Sequence, residues 1–413
     1  MIKSYTKERV SCNLTNNVVF AFVLISIFIL PFVNVLNFAL PVDNVFGKST
    51  WLVIPVLALM VGYIWRFKAN NILFAPLDIV LLFVVALAGV ILAIRYIAFD
   101  ELNSFLNYRY FATSLIYLAI ASYFVKNKMN LRVMSLTIVA AGLAVAVVEA
   151  VNFNFFPSVM LSTDDAGVIR LVFDGEKTRS MLLGASISGN QIVCSMFVLV
   201  AMIQGNIIRM NIWVSWSLLL FMTYGVSLGE SRYPLAVAIC LLAFNFFYQK
   251  LQHKKIVVLS FLIVLLTSYV SSNFEYPHIS RINEDSGGRV EKAILGFKIL
   301  SDSMTNFSIG APSSQTNDAT EGGYGLSDNS YLEVAISFGV PFATAFFFIW
   351  FYYISKNVVN NLSLLFFGYL VVGLSLTNCI LWESWLCLAM FSMVVVGGLQ
   401  NTEWQGNDSN EAS

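Results

Sequence analysis

Charge is what this 413-residue chain has least of, with Asp, Glu, Lys and Arg making up 12% of it, where a soluble domain carries about 25%. So few charges cannot cover a folded globule with polar surface, which excludes a water-soluble protein and points to an integral membrane protein. The 24 Lys and Arg balance the 24 Asp and Glu, and a chain without net positive charge lacks the footprint that nucleic-acid binding requires. Only two histidines occur, His253 and His278, and the five cysteines are Cys12, Cys194, Cys240, Cys379 and Cys387. All but Cys12 sit in apolar runs without ligand-like spacing, which excludes a disulfide framework and a zinc site. The best carboxylate pair for a cation, Asp164 and Asp165, reads as a solvated turn, so neither metal nor cofactor is expected. No internal repeat or low-complexity tract is evident.

What the chain has is apolar length: 58% hydrophobic residues, 35 Phe, 17 Tyr and 8 Trp, and a mean hydropathy of +0.75. A helix needs about 17 to 25 apolar residues to cross the hydrocarbon. On that criterion the chain is expected to be an all-α integral membrane protein with about 12 transmembrane helices. They fall at roughly 18–40, 50–65, 77–97, 108–125, 131–151, 187–204, 211–228, 234–248, 256–272, 330–354, 362–378 and 380–399. Several are short or contain proline, at Pro31, Pro55 and Pro341. The first follows Lys3, Lys7 and Arg9 but is longer than the apolar core of a signal peptide, so it reads as a retained helix.

Orientation follows from Lys and Arg in the short loops. With the N-terminus inside, thirteen such residues fall on the cytoplasmic side, among them Lys126, Lys128, Arg132, Arg209 and Lys356. The opposite short loops hold only Lys48, Arg109 and Arg232. Residues 1–17 are then a cytoplasmic segment, 18–399 a polytopic membrane domain and 400–413 a cytoplasmic polar tail. Two outer loops stand apart, at about 152–186 and, between helices nine and ten, about 273–329, both rich in Ser, Thr, Asn, Asp and Gly. In the larger, Val290, Ala293, Ile294, Phe297 and Leu300 repeat at helical spacing. They predict a short amphipathic helix lying against the membrane surface.

Ionisable residues in or beside a spanning helix are costly and point to function. Here they are Arg95, Glu149, Glu230, Arg232, Glu333 and Glu383. Arg95, near an outer helix end, is read as snorkelling; Glu149 and Glu383 are read as solvated or paired, and Glu230 and Arg232 as a surface pair or a site. Outside, Arg170, Lys177, Arg179, Arg232, Arg281 and Arg289 gather over an apolar body. Guanidinium forks hold phosphate oxygens in bidentate geometry, so a polyprenyl diphosphate, anionic at its head and apolar in its tail, suits such a surface.

Four sequence elements carry a resemblance. They are "RSMLLGASISGNQ" (179–191), "GESRYPLA" (229–236), "SGGRVEKAILGFKIL" followed by "SIGAP" (286–312), and "SDNSYLEVAISFGVP" (327–341). In this order, around the large outer loop, they resemble the superfamily of Wzy-type O-antigen polymerases and O-antigen ligases. The resemblance implies a saccharide donor on undecaprenyl diphosphate and transfer at the periplasmic face of the bacterial inner membrane, without nucleotide sugar or metal. Arg179 and Arg232 match the diphosphate-binding arginines, and Arg289 matches the loop arginine. Where ligases carry a histidine that helps activate the acceptor hydroxyl, this chain has Asp328. Asp328 can act as the base or cap the tenth helix; Glu333, one turn on, is the other catalytic candidate. The departure favours a polymerase over a ligase that loads lipid A core, and the absence of related halves disfavours a flippase or other transporter. A chain-length regulator and a flippase are candidate partners, beside the lipid-linked donor and the bilayer.

Overall fold

A chain in lipid must satisfy its backbone N–H and C=O groups internally, so apolar runs become helices. The computed structural model follows this rule almost throughout. It describes residues 20–32, 86, 89–91, 93–99, 114, 117–118, 120–122, 124–125, 130–156, 159–163, 169–173, 185–205, 207–208, 210–228, 232–247, 293–312, 314–315, 329–376 and 383–399. The expected spans at 50–65 and 256–272, both chain ends and most of the two long loops lie outside the described residues.

The helices are α1 (Phe20–Phe32), α2 (Gly89–Phe99), α3 (Leu131–Phe155), α4 (Ala185–Gln204), α5 (Ile212–Leu228) and α6 (Arg232–Phe247). They continue with α7 (293–302), α8 (Met304–Ile309), α9 (Ser330–Phe338), α10 (Val340–Ser355), α11 (Asn361–Leu376) and α12 (Glu383–Leu399). Asn130 starts α3 by accepting the N–H of Val133 at 3.1 Å, which satisfies one of the donors that a helix start leaves free. Among the described residues, α3 and the Ile187–Gln204 part of α4 are long and apolar enough to cross a membrane. The apolar helices α5, α6, α10, α11 and α12 have 16 or 17 residues each, or about 25 Å at the helical rise. Outward faces are apolar: Phe155, Trp213 and Phe348 are each more than 70% exposed, a pattern that water penalises and lipid does not.

All described side chains of α12, and those of α4 through Met202, are buried, so these two helices form the centre. Close approach explains the packing around them. A Cβ on Gly142 of α3 would collide with Ser195 of α4, and one on Gly225 of α5 would lie 2.9 Å from the Cα of Ala146. The Ser195 hydroxyl donates to the Ile138 carbonyl at 2.9 Å across the first of these seams. Small residues with inter-helix hydrogen bonds are how helices associate without a hydrophobic driving force.

Helices α3 to α6, and likewise α10 to α12, alternate in direction. At one end, Gly398 and Gly397 of α12 abut Leu131 and Asn357, and Gly205 faces the Leu399 carbonyl. That end holds the start of α3, the finish of α4, α10 and α12, and with them Arg132 and Lys356. The other end collects the start of α4, α6 and α12 and the finish of α3 and α5.

Three expectations need correction. The continuous span at 330–354 is two helices meeting at Gly339, which has φ +88 and is at once the C-cap of α9 and the N-cap of α10. The chain folds into a tight V there, since Tyr331 and Phe347, each eight residues from the corner, have ring centroids 4.6 Å apart. The stretch expected as loop at about 152–186 is not all irregular: α3 runs on to Phe155, and an antiparallel hairpin of β1 (Val159–Thr163) and β2 (Ile169–Phe173) follows. The short helix expected in the 273–329 stretch exists at 293–302, but Leu300 is buried with Gly296 and Ile299, whereas Ile294 and Phe297 are exposed. Gly296 rotates the helix, because its missing side chain lets α7 settle on Leu332 and Ile336 of α9.

Gly225→Leu is expected to destabilise the protein by about 1 to 3 kcal/mol through overpacking. Gly89→Leu, at a position with no neighbour within 4 Å among the described residues, is expected to leave it unchanged. Thermal unfolding of both variants in detergent checks the α3–α5 seam.

Candidate functional site

At the end where α4, α6 and α12 begin, polar side chains are buried in an otherwise apolar bundle: Glu149, Asn152, Ser188, Asn190 and Gln191. In so apolar a setting each requires a hydrogen-bond partner. The centre of the cluster is Tyr369 of α11. Its hydroxyl donates to Asn190 Oδ1 at 2.6 Å and accepts from Trp385 Nε1 at 3.2 Å, while its carbonyl accepts the Tyr233 hydroxyl at 2.5 Å. The Tyr233 and Tyr369 rings stack, with centroids 5.6 Å apart and planes 9° from parallel. Four helices, α4, α6, α11 and α12, are thereby tied at one level.

Two of the four sequence elements meet in this cluster. Asn190 belongs to "SGNQ" and Tyr233 to "RYP", and a Cβ on Gly189 would touch Pro234 at 3.1 Å. Pro234 sits in the first turn of α6, where a missing N–H costs little. Arg232 is the first residue of α6, immediately before the anchored Tyr233. Arg179, Arg289 and Asp328 lie outside the described residues.

The other two elements meet at the corner of the V. The Ala311 N–H donates to the Ile336 carbonyl at 2.8 Å, and a Cβ on Gly339 would collide with the Ser308 carbonyl. Tyr331 fixes α9 to α11 by donating its hydroxyl to the Val371 carbonyl at 2.9 Å. Glu333 rides on this helix, and its Oε2 is enclosed with no hydrogen-bond partner among the described residues.

The cap of α9 is Asn329, whose Oδ1 accepts from the N–H groups of Tyr331 at 3.0 Å and Leu332 at 3.2 Å. The N-cap position is thus held by Asn329, one residue after Asp328. Arg95, read as snorkelling, is instead 3% exposed. Glu149 is buried as well, which excludes the solvated reading. Glu383 opens α12. Asn190, Tyr369, Trp385 and Asn329 hold the candidate site's elements together and were not singled out from the sequence. Among the described residues no three His, Cys, Asp or Glu side chains gather as metal ligands. No protein-family model and no curated protein matches this chain.

Asn329→Ala is expected to cost about 0.5 to 2 kcal/mol through loss of the cap, while Asp328→Ala leaves stability unchanged. Tyr369→Phe removes the acceptor of Trp385 and a bond to Asn190 and is expected to cost about 1 to 2 kcal/mol, the range of inter-helix hydrogen bonds in membranes. Thermal unfolding in detergent reads all three.

Proposed function

We propose that the chain polymerises lipid-linked oligosaccharide repeat units of an O-antigen or related surface polysaccharide. An acceptor sugar hydroxyl on one unit attacks the anomeric carbon that joins another glycan to undecaprenyl diphosphate; the new glycosidic bond forms as the bond to the diphosphate breaks. Undecaprenyl diphosphate leaves, and the acceptor proton passes to a carboxylate. Arg179, Arg232 and Arg289 bind the diphosphate and stabilise the charge that develops on it. Asp328 or Glu333 accepts the proton. The reaction is metal-independent and occurs at the periplasmic face of the inner membrane, with both termini cytoplasmic.

The observation that carries this reading is the pairwise meeting of the resembling elements. Asn190 and Tyr233 share Tyr369, and Ala311 is bonded to Ile336, although the partners are far apart in sequence. A further support for the orientation is that Arg132 at the start of α3 and Lys356 after α10 lie at the end opposite Tyr233. That distribution agrees with the bias of Lys and Arg toward the cytoplasm.

Deletion of the gene followed by gel analysis of surface glycans tests the activity. A polymerase mutant is expected to keep core bearing a single repeat; complete loss of attached glycan indicates a ligase, and repeat units retained inside indicate a flippase. In the purified protein, transfer is expected to survive EDTA. Arg232→Lys and Arg289→Lys are each expected to slow it by about a hundred- to a thousand-fold, since lysine keeps the charge but loses the fork. Wild-type polymer lengths from both variants at matched expression refute the diphosphate role. Asp328→Asn separates the two carboxylates: if Asp328 is the base, transfer falls about a hundred- to ten-thousand-fold with stability unchanged, and if it stays active, Glu333→Gln is the slow variant.

A further inference from the structure

Arg95 is the buried cation that snorkelling does not explain. From α2 its Nη1 donates to the Ile309 carbonyl at 2.9 Å and its Nη2 to the Ala311 carbonyl at 2.8 Å. The Phe99 ring lies 5.4 Å from its Cζ, close enough for a cation–π contact. Both carbonyls belong to the end of α8 and its exit, where a helix leaves carbonyls without intrahelical donors. The fork therefore grips the backbone of the "SIGAP" element.

The gripped segment is itself pressed onto the V. A Cβ on Gly310 would collide with Arg95 Nη1 and come within 2.5 Å of the Ile336 carbonyl; Gly310, at φ +89, also adopts a conformation that other residues avoid. Ala311 is bonded to the same Ile336 carbonyl, and the Ser308 carbonyl faces Gly339. Three layers are thus in register: the guanidinium, residues 308–311, and the last turn of α9. Glu333 lies three residues before Ile336 on that helix, and a planar fork spanning carbonyls two residues apart fixes orientation as well as distance.

We propose that Arg95 is a positioning residue that clasps the outer loop onto the corner at Gly339 and so sets the pose of α9 and of Glu333 in the transfer site. The second half of this rests on the proposed role of the α9 carboxylates; the clasp itself does not.

The test uses the full chain, free of native cysteines and carrying Ala311→Cys, a position 2% exposed. Maleimide labelling in detergent is expected to be slow in this parent. In Arg95→Met it is expected to be about tenfold faster or more, the equivalent of losing one charge-assisted hydrogen bond, and in Arg95→Lys intermediate. Equal labelling in the parent and Arg95→Met overturns the clasp. In parallel, with position 311 unchanged, kcat per folded molecule in Arg95→Met is expected to fall about a hundredfold, the scale of a misplacement of about 1 Å. KM for the lipid-linked donor should be unchanged, with partial rescue by lysine. A merely structural arginine lowers the yield of folded protein and leaves kcat unaltered, and that result overturns positioning. A parent with clasp-dependent labelling but no glycan transfer upholds the clasp and overturns the reading of function.

Discussion

Backbone touches backbone at the corner between α9 and α10, and the placing of α7, α8 and α9 depends on that contact. Two glycines at positive φ, Gly310 and Gly339, remove the side chains that would keep residues 308–311 off the V. Gly339 itself keeps both of its backbone hydrogen bonds, since its N–H closes α9 on the Ala335 carbonyl and its own carbonyl opens α10 through Ala343. In an apolar surrounding this accounting matters, because each unmatched group costs as much as a lost hydrogen bond or more. The corner turns α9 back along α10, brings Tyr331 onto Phe347, and gives α7 a surface to lie on.

The cluster around Tyr369 has a different physical character. Its members are matched, with one hydroxyl both donating to Asn190 and accepting from Trp385, so it rigidifies helix ends instead of offering a free group. A rigid platform is what a site assembled from loops needs, because precise placement comes from packed elements and not from the loops themselves. Arg232, at the head of α6, inherits its backbone position from Tyr233, whose ring and hydroxyl are both held.

Apolar length was the most legible feature of the sequence, and helices lie close to the runs expected at 131–151, 187–204, 211–228, 234–248, 362–378 and 380–399. The V was not legible, because "VAISFGVPFA" is apolar on both sides of the break and hydropathy does not register a reversal. Its local signs were Gly339 and Pro341, a C-cap residue followed shortly by a residue that suits a helix start. The hairpin was hidden by its polar flanks, although Ile169–Phe173 is a run of strand-forming residues. Tyr369 and Trp385 could not be singled out among 17 Tyr and 8 Trp. Arg95 was misread for a deeper reason: hydropathy gives the depth of a charge but not its partners, and these carbonyls are more than 200 residues away.

The identity of the α9 cap bears on the roles proposed for Asp328, before the cap, and Glu333, within the helix. Since Asn329 satisfies the first N–H groups of the helix, the cap position is filled without Asp328, and stability and the proposed proton transfer at position 328 become separable. Glu333 has the opposite constraint: its enclosed Oε2 needs a donor if the carboxylate is to carry charge at tolerable cost. A diphosphate cannot supply one and would repel it, whereas a sugar hydroxyl can. Within the proposed transfer reaction, Glu333 therefore belongs on the acceptor side and the arginines on the donor side. The corner at Gly339 governs the first of these groups through α9, and the anchored start of α6 governs Arg232 among the second.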